Sequence, residues 1–385
     1  MVYQQICTQG GRGVDKAEKI RDAMMSMDVD ALVMVGVPSK DANIYYSTEF
    51  LSHDTVFYLC THSSEKLAVP NMELKRAMEE SRVEDVVSFS KPSSVLSELV
   101  KGLKEVCIPR EFPVYLADKL RNEVNVKVVK NPILASRECK GDKEIVMMKE
   151  TTKITEEAIS RAIDMIHKSK PTDDGLVFEG TILTSELVRT EIETYLLKKG
   201  CFADGTIVAG GRISSIPHCT GRGRLLPDEP IIIDVFPMNK NNRYYSDITR
   251  SVVKLWRGGK KVERIVSMYN AVLDAQHTAL SLVKEGVKCE EVYECVKRKL
   301  IEMGFDAPEK GSEGFIHSAG HGVGLEVHES PFIGKNKGIL KDGMVITIEP
   351  GLYYHDVGGV RVEDVVVVEE NGYEQLSTLS TPFLL

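Results

Sequence analysis

The chain has 385 residues, of which 42% are hydrophobic and 28% are charged, and its formal net charge is −8. This is more residues than one hydrophobic core usually supports, so the length predicts two domains. The mild acidity argues against partners such as nucleic acid or an anionic membrane, because both bind a basic face. No run approaches eighteen apolar residues, which argues against a membrane span, and the start, MVYQQICTQGGRGVDKAEK, has no apolar core of secretory length.

The eight cysteines are scattered along the chain, and no two of them form a C-x-x-C pair. We therefore expect reduced thiols and a cytoplasmic location. Cys219 follows His218 directly, but such a neighbouring pair is more often incidental than nucleophilic.

The first third of the chain alternates helical and strand-like segments. Residues 14–27 place apolar side chains at helical spacing, and DALVMVGV, TVFYLCT and KLAVP are short apolar runs typical of buried strands. Helices over residues 72–81 and in SSVLSELVKGLKEV alternate with strands in VEDVVSFS, VCIPR and VKVVKN. This alternation predicts a small α/β domain over residues 1–135, and a polar linker follows over residues 136–142.

The rest of the chain, residues 143–385, contains a coarse internal repeat. A long helix at about 142–168 and a second helix ending at Gly200 precede the strand-like runs GTIVAG, PIIIDVF and YYSDITRSVVKL. The same order recurs with a helix over 261–285, a helix ending at Gly304, and strands in GMVITIEPGLYY and GGVRVEDVVVVEE. Such a repeat predicts an α+β domain with a pseudo-twofold interface, where binding sites often form.

Each half of the repeat carries two carboxylates in neighbouring strand-like runs. Asp234 and Asp247 are thirteen residues apart in the first half, and Glu349 and Glu363 are fourteen apart in the second. Burial of an unpaired carboxylate is unfavourable in free energy, and four of them together would repel one another. Two divalent cations would balance their charge, as in two-metal sites whose ions lie about 3.5–4 Å apart.

Three histidines lie within the glycine-rich segment HSAGHGVGLEVHESP, residues 317–331. His321 can supply one nitrogen ligand, and the flanking Gly320, Gly322 and Gly324 allow close backbone approach. A single aspartate in a strand is more often an edge or turn residue, and a lone H-x-G is a weak signal. The doubled acid pairs together with the histidines favour a metal site.

At these residues the chain resembles the proline-specific metallopeptidases of the pita-bread fold, namely Xaa-Pro dipeptidases (prolidases) and Xaa-Pro aminopeptidases. The motifs that carry the resemblance are GHGVGLEVHESP, MVITIEPGLYY, VRVEDVVVV and YSDITRSV. The resemblance is strong over residues 143–385. It is weaker over the first 135, where DALVMVGVPSKDANIYYSTEF resembles the creatinase/prolidase-like amino-terminal domain. It implies a pita-bread catalytic domain that cleaves Xaa-Pro bonds in dipeptides or at peptide N-termini.

The resemblance also implies roles for individual residues. The implied metal ligands are Asp234, Asp247, His321, Glu349 and Glu363. Asp247 and Glu363 would bridge the ions, and Glu349 would also move the proton. The implied substrate-side and near-site residues are His218, His328 and Arg361, whereas His317 is expected to be a polar wall residue.

The implied cofactors are two divalent ions, with Mn, Co or Fe(II) favoured and Zn also compatible with the ligand set. The implied partners are a small peptide substrate and a second copy of the chain in a homodimer. Phe236-Pro237 departs from the family's usual D-x-G pattern, and the loop between Asp234 and Asp247 is two residues longer than expected. Four alternatives stay open: a methionine aminopeptidase, a metal-free relative, a protein-interaction module that keeps the fold for binding, and a hydrolase of another small amide.

Overall fold

A computed structural model describes residues 15–25 and 27–385. Cys7, the start of the predicted helix at residue 14 and most of the segment examined for a secretory leader lie outside the described residues. The chain divides into two compact units between Gly141 and Asp142. Among the described residues, no helix combines the length and apolar character that a membrane span requires.

The first unit is built around one mixed sheet whose described strands run in the order β4-β3-β2-β1-β5-β6. Its helices are α1 (Lys16–Met25), α2 (Ala42–Thr48), α3 (Leu74–Glu80), α4 (Pro92–Leu99), α5 (Val114–Leu120) and α6 (Ile133–Glu138). Its strands are β1 (Ala31–Gly36), β2 (Val56–Thr61), β3 (Glu65–Pro70), β4 (Val86–Phe89), β5 (Glu105–Pro109) and β6 (Asn125–Val129). The central strand β1 pairs antiparallel with β2 and parallel with β5.

The sequence patterns predicted the strands of this sheet but not helix α2. Asp41 caps α2, because its Oδ1 accepts hydrogen bonds from the backbone N–H groups of Asn43 at 2.9 Å and Ile44 at 3.1 Å. Tyr46 in this helix is fully buried, and its hydroxyl donates to the carbonyl of Ser136 at 2.9 Å. Residues 136–138, which were expected in the linker, form the last part of α6.

The second unit consists of two successive sets of helices and strands. The first set comprises α7 (Asp142–Lys168), β7 (Lys170–Thr172), β8 (Gly175–Phe178), β9 (Thr181–Ile182), α8 (Ser185–Lys198), β10 (Cys201–Phe202), β11 (Ile207–Gly210), β12 (Pro230–Val235), β13 (Met238–Asn239) and β14 (Ile248–Val253). The second set comprises α9 (Lys260–Leu280), α10 (Cys289–Glu302), β15 (Gly320–Gly322), β16 (Glu329–Ile333), β17 (Val345–Ile348), β18 (Gly351–Tyr354), β19 (Gly358–Arg361), β20 (Asp364–Glu369) and β21 (Gly372–Gln375).

The predicted repeat of helix, helix and strands is confirmed in this unit. Gly200 and Gly304 lie just beyond α8 and α10 with φ angles of +79° and +86°, the left-handed conformation that ends helices. Helix α7 covers the predicted range, whereas α9 ends at Leu280, before the predicted end at residue 285.

The central strands of each set bring the acidic positions to one end of a sheet. In the first set the strand order is β11-β12-β14, and in the second it is β16-β15-β17-β20-β21. Buried apolar side chains of α7 and α8 pack against β12 and β14, which fixes that sheet against the helices. The strand pairs β12–β14 and β17–β20 are both antiparallel, so the end of one strand lies beside the start of its partner.

Candidate metal centre

The four acidic residues lie at matching ends of the two antiparallel strand pairs. Asp234 is in β12 opposite Thr249, and Asp247 directly precedes β14. Glu349 directly follows β17, and Glu363 directly precedes β20. The longer loop between the two aspartates does not separate them, since Asp234 pairs with Thr249, which lies two residues after Asp247.

His321 lies between carboxylates of the two halves. Its Nε2 is 3.6 Å from Asp247 Oδ2 and 3.4 Å from Glu349 Oε1. Asp247, His321 and Glu363 each offer a ligand atom, and these atoms lie within 4.8 Å of one another. Burial lowers the pKa of His321 to about 3, so the ring is neutral at pH 7. Its Nδ1 lies 3.1 Å from the Gly322 carbonyl, which places the proton there and leaves the Nε2 lone pair facing the acids.

Arg361 connects the acids through a buried hydrogen-bond network. Its Nη2 donates to Asp234 Oδ2 at 2.5 Å, and its Nη1 donates to the Tyr353 hydroxyl at 2.8 Å. Its Nε donates to the Thr249 hydroxyl at 3.0 Å, and that hydroxyl in turn donates to Glu363 Oε2 at 2.8 Å. The guanidinium therefore orients one carboxylate of each half.

His317 extends this network away from the acids. Its Nε2 lies 3.0 Å from the Tyr353 hydroxyl, and its Nδ1 lies 2.6 Å from the Ser318 carbonyl. Burial, and then the charge of Arg361, lowers the pKa of His317 to about 4, so the neutral ring donates from Nδ1 and accepts from tyrosine. The prediction that His317 is a polar wall residue did not include this link to Tyr353.

Tyr353 and Thr249 are functional candidates that were not predicted from the sequence. Thr249 lies two residues after Asp247, the spacing that brings side chains to one face of a strand, and this signal was available in the sequence. Tyr353 had no comparable signal, because its contact with Arg361 depends on the pairing of Gly351 with that arginine between β18 and β19.

The electrostatics of the cluster fit bound cations. Asp234 Oδ1, Asp247 Oδ1 and Glu363 Oε1 are buried, and no group in the described part of the chain hydrogen-bonds to them. Burial, together with the neighbouring carboxylates, raises the pKa of Asp247 and of Glu363 well above the usual range, and burial raises that of Glu349 to about 8. Buried oxygens in this state are those that a divalent cation would satisfy.

A cavity of about 830 Å³ opens above the acidic cluster. Its polar lining includes the five predicted ligands together with His218, His317, His328 and Arg361. The His328 ring lies edge-to-face with that of His321, with 4.3 Å between centroids. The pKa of His328 is lowered, first by burial and then by nearby His218. The structure thus brings all eight predicted site residues to one cavity.

The match to known families agrees with this geometry. Residues 146–370 match the model of metallopeptidase family M24. The chain belongs to this family. Residues 16–139 match the creatinase/prolidase N-terminal domain, so the predicted resemblance and the two-part architecture are confirmed.

Several relatives of this M24 peptidase match it over nearly its whole length. The Xaa-Pro dipeptidase of Pyrococcus horikoshii is 31% identical over 370 residues, which cover 94% of this chain and 97% of that protein. The prolidase structure from P. horikoshii OT3 has a TM-score of 0.80 at 29% identity and covers 96% of this chain and 99% of that one. The prolidase structure from P. furiosus has a TM-score of 0.78 at 28% identity, with 94% and 100% covered.

We expect the metal-free M24 peptidase to lose stability as the pH rises from about 6.5 to about 8, and divalent cations to restore it. Folded Glu349 has its pKa raised to about 8 from an ordinary value of 4.5. The native state therefore binds more protons than the unfolded state in this interval, and stability falls with pH. His317 and His321 have lowered pKa values, so their opposite contribution lies below about 6.5.

Differential scanning calorimetry of chelator-treated protein, with and without MnCl₂, measures this effect. The melting temperature of the metal-free sample should be lower at pH 8 than at pH 6.5. The increase in melting temperature caused by Mn²⁺ should be larger at pH 8. The Glu349→Gln variant should show a smaller pH dependence without metal. A metal-free melting temperature that rises across this interval would contradict the assignment of Glu349.

Proposed function

We propose that this chain is a dinuclear-metal peptidase that hydrolyses Xaa-Pro bonds in dipeptides or at peptide N-termini. The observation that carries the proposal is the meeting of paired acids from both halves with His321 beneath one cavity. The dipeptidase and prolidase relatives, which match nearly the whole chain, support the choice of Xaa-Pro substrates.

Five side chains would hold the two divalent ions. They are Asp234, Asp247, His321, Glu349 and Glu363. The resemblance to the family would give Asp247 and Glu363 the bridging role, and both have a buried carboxylate oxygen with no hydrogen-bond partner in the described part of the chain, as Asp234 has. The bound ions would acidify a water molecule and polarise the scissile carbonyl. One nitrogen and mostly oxygen ligands favour Mn, Co or Fe(II), and Zn is also compatible.

The surrounding side chains have roles in proton transfer and substrate binding. With the ions bound, Glu349 would be ionised and would accept the proton of the attacking water, and its burial favours the protonated carboxyl that results. His328 is neutral at pH 7 and donates a hydrogen bond to the oxygen that gains charge during attack. His218 lines the same cavity and contacts the substrate near the scissile bond. Arg361 is a positioning residue, because it acts through Asp234.

A dedicated site suits proline peptides for a physical reason. Proline has no backbone N–H and a fixed φ, so it cannot bind as an ordinary added strand. The site must instead hold the ring and the free amino end of a small peptide. Dipeptidase and aminopeptidase activities differ in how far the cavity extends beyond the proline.

Two of the alternative functions are disfavoured by an observation. A metal-free binding protein has no need for unpartnered buried carboxylate oxygens, which cost free energy without a cation. A methionine aminopeptidase is disfavoured by the amino-terminal domain matched over residues 16–139. The remaining alternatives are a hydrolase of another small amide and a protein-interaction module, which would show no hydrolysis even with Mn²⁺ or Co²⁺ supplied. The homodimer and the cytoplasmic location stay predictions.

The proposed function is tested by metal analysis combined with a substrate panel. The purified protein should bind about two divalent ions per chain. With Mn²⁺ or Co²⁺ it should release proline from Xaa-Pro dipeptides or the first residue from longer Xaa-Pro peptides. Peptides in which alanine replaces proline serve as the control and should be cleaved more slowly. A metal-loaded protein that cleaves none of the Xaa-Pro substrates would overturn the proposal.

A further inference from the structure

Phe236 faces the cavity directly beside one of the acids. It lies two residues after Asp234, the spacing that puts side chains on one face of an extended strand, and both line the cavity. Pro237 follows, and a residue before proline is restricted to extended backbone. The local sequence therefore holds the aromatic ring on the same side as the acidic cluster.

Gly205 on the neighbouring segment makes room for this ring. Ile207 pairs with Asp234, so the same antiparallel register continued outward places Gly205 opposite Phe236. A Cβ atom on Gly205 would lie 3.3 Å from Phe236 Cζ and 3.5 Å from its Cε2. Gly205 also has a φ of +94°, which disfavours any other residue there. The ring therefore packs against the Gly205 backbone, where a side chain would crowd it.

The ring forms part of an apolar wall above a charged floor. Other apolar residues of the lining are Ile207, Pro217, Val327 and Phe332. Because the scissile carbonyl must lie at the acidic floor, the side chain of the residue that carries it begins two bonds away, at Cβ, and extends along this wall. The wall beside Asp234 thus limits the space for a substrate side chain.

We propose that Phe236 is a specificity-determining residue that restricts the size of the substrate's amino-terminal side chain. This inference rests on the proposed Xaa-Pro activity, in which proline always follows the scissile bond and the amino-terminal side chain before it varies. The chain prefers glycine or alanine before proline, and the Phe236 ring occupies the volume that leucine or phenylalanine would need.

The test compares the Mn²⁺-loaded variants Phe236→Ala and Phe236→Leu with the Mn²⁺-loaded wild-type enzyme. The substrates are Ala-Pro and Phe-Pro. The measured quantity is the ratio of kcat/KM for Phe-Pro to that for Ala-Pro. This ratio is taken from one preparation, so a partly folded variant does not distort it. Phe236→Ala should raise the ratio at least about tenfold, the discrimination a hydrophobic pocket gives for small differences in volume. Phe236→Leu should raise it less.

Phe202→Ala is the matched control, because Phe202 is a half-exposed aromatic residue on β10 outside the described cavity lining. It should leave the ratio unchanged. An unchanged ratio in Phe236→Ala would overturn the inference, even if kcat/KM fell equally for both substrates. The ring would then support the fold or hold the proline. If the wild-type enzyme cleaves no Xaa-Pro peptide, the proposed function fails first and this inference fails with it.

Discussion

Asp247→Asn should remove peptidase activity and at the same time raise the melting temperature of the metal-free protein. Asparagine keeps the shape of the side chain but loses the charge that binds cations, so kcat/KM should fall by at least about 10²-fold. Without metal, Asp247 is buried beside Glu363, Asp234 and Glu349, and this environment disfavours its ionised form. Asparagine carries no charge, so the variant avoids the repulsion between this carboxylate and the neighbouring ones, and the metal-free protein becomes more stable.

Three measurements check this prediction: kcat/KM with Mn²⁺, the number of bound ions per chain, and melting temperatures with and without a chelator. The stabilisation caused by Mn²⁺ should be much reduced in the variant. Asp274→Asn is the matched control, because Asp274 is an exposed carboxylate on α9, and all three quantities should match the wild type. Full activity of Asp247→Asn would refute its place in the metal centre.

Arg250→Met should destabilise the second unit by about 3–5 kcal/mol, the cost of breaking a buried ion pair from one side. Arg250 Nη2 lies 2.7 Å from Asp364 Oδ1, and the two side chains are 6% and 8% exposed. This pair joins β14 of the first half to β20 of the second. Arg250 Nη1 also donates to the Glu363 carbonyl at 2.7 Å, so the same side chain holds the backbone of a predicted metal ligand.

Urea unfolding followed by Trp256 fluorescence measures this loss, because the single tryptophan of the chain lies in the second unit. Arg264→Met is the control, since its pair with Asp356 is exposed, and it should cost only about 0–1 kcal/mol. The double variant Arg250→Met, Asp364→Leu should regain part of the lost stability, because no buried charge is then left unpaired. A single variant as stable as the control would contradict this interpretation.

Much of the second unit was predictable because its signals are local. The apolar spacing predicted α7, and glycine predicted the ends of α8 and α10. The acids were recognisable because burial of a carboxylate within an apolar strand such as PIIIDVF is unfavourable in free energy unless a cation or hydrogen-bond donor is near it. Finding the same feature in both halves of a repeat made a shared site the simplest explanation.

The failures of prediction have a common cause, which is that long-range contacts determine the outcome. Helix α2 contains two tyrosines and few aliphatic residues, and Tyr46 is stabilised by a contact with Ser136, 90 positions away. Residues 136–138 are polar in sequence, yet Ser136 and Arg137 are buried. Local polarity alone therefore predicted a linker where the structure has the end of α6.

The sequence by itself determined which residues could form the metal centre, because residue type and strand spacing are local properties. Only the tertiary structure decided how these residues are connected. Arg361, Asp234 and Tyr353 come from β19, β12 and β18, and their hydrogen bonds depend on how strands distant in sequence pack together. The contact of Phe236 with Gly205 has the same origin, because it depends on strand register, which the surrounding fold fixes.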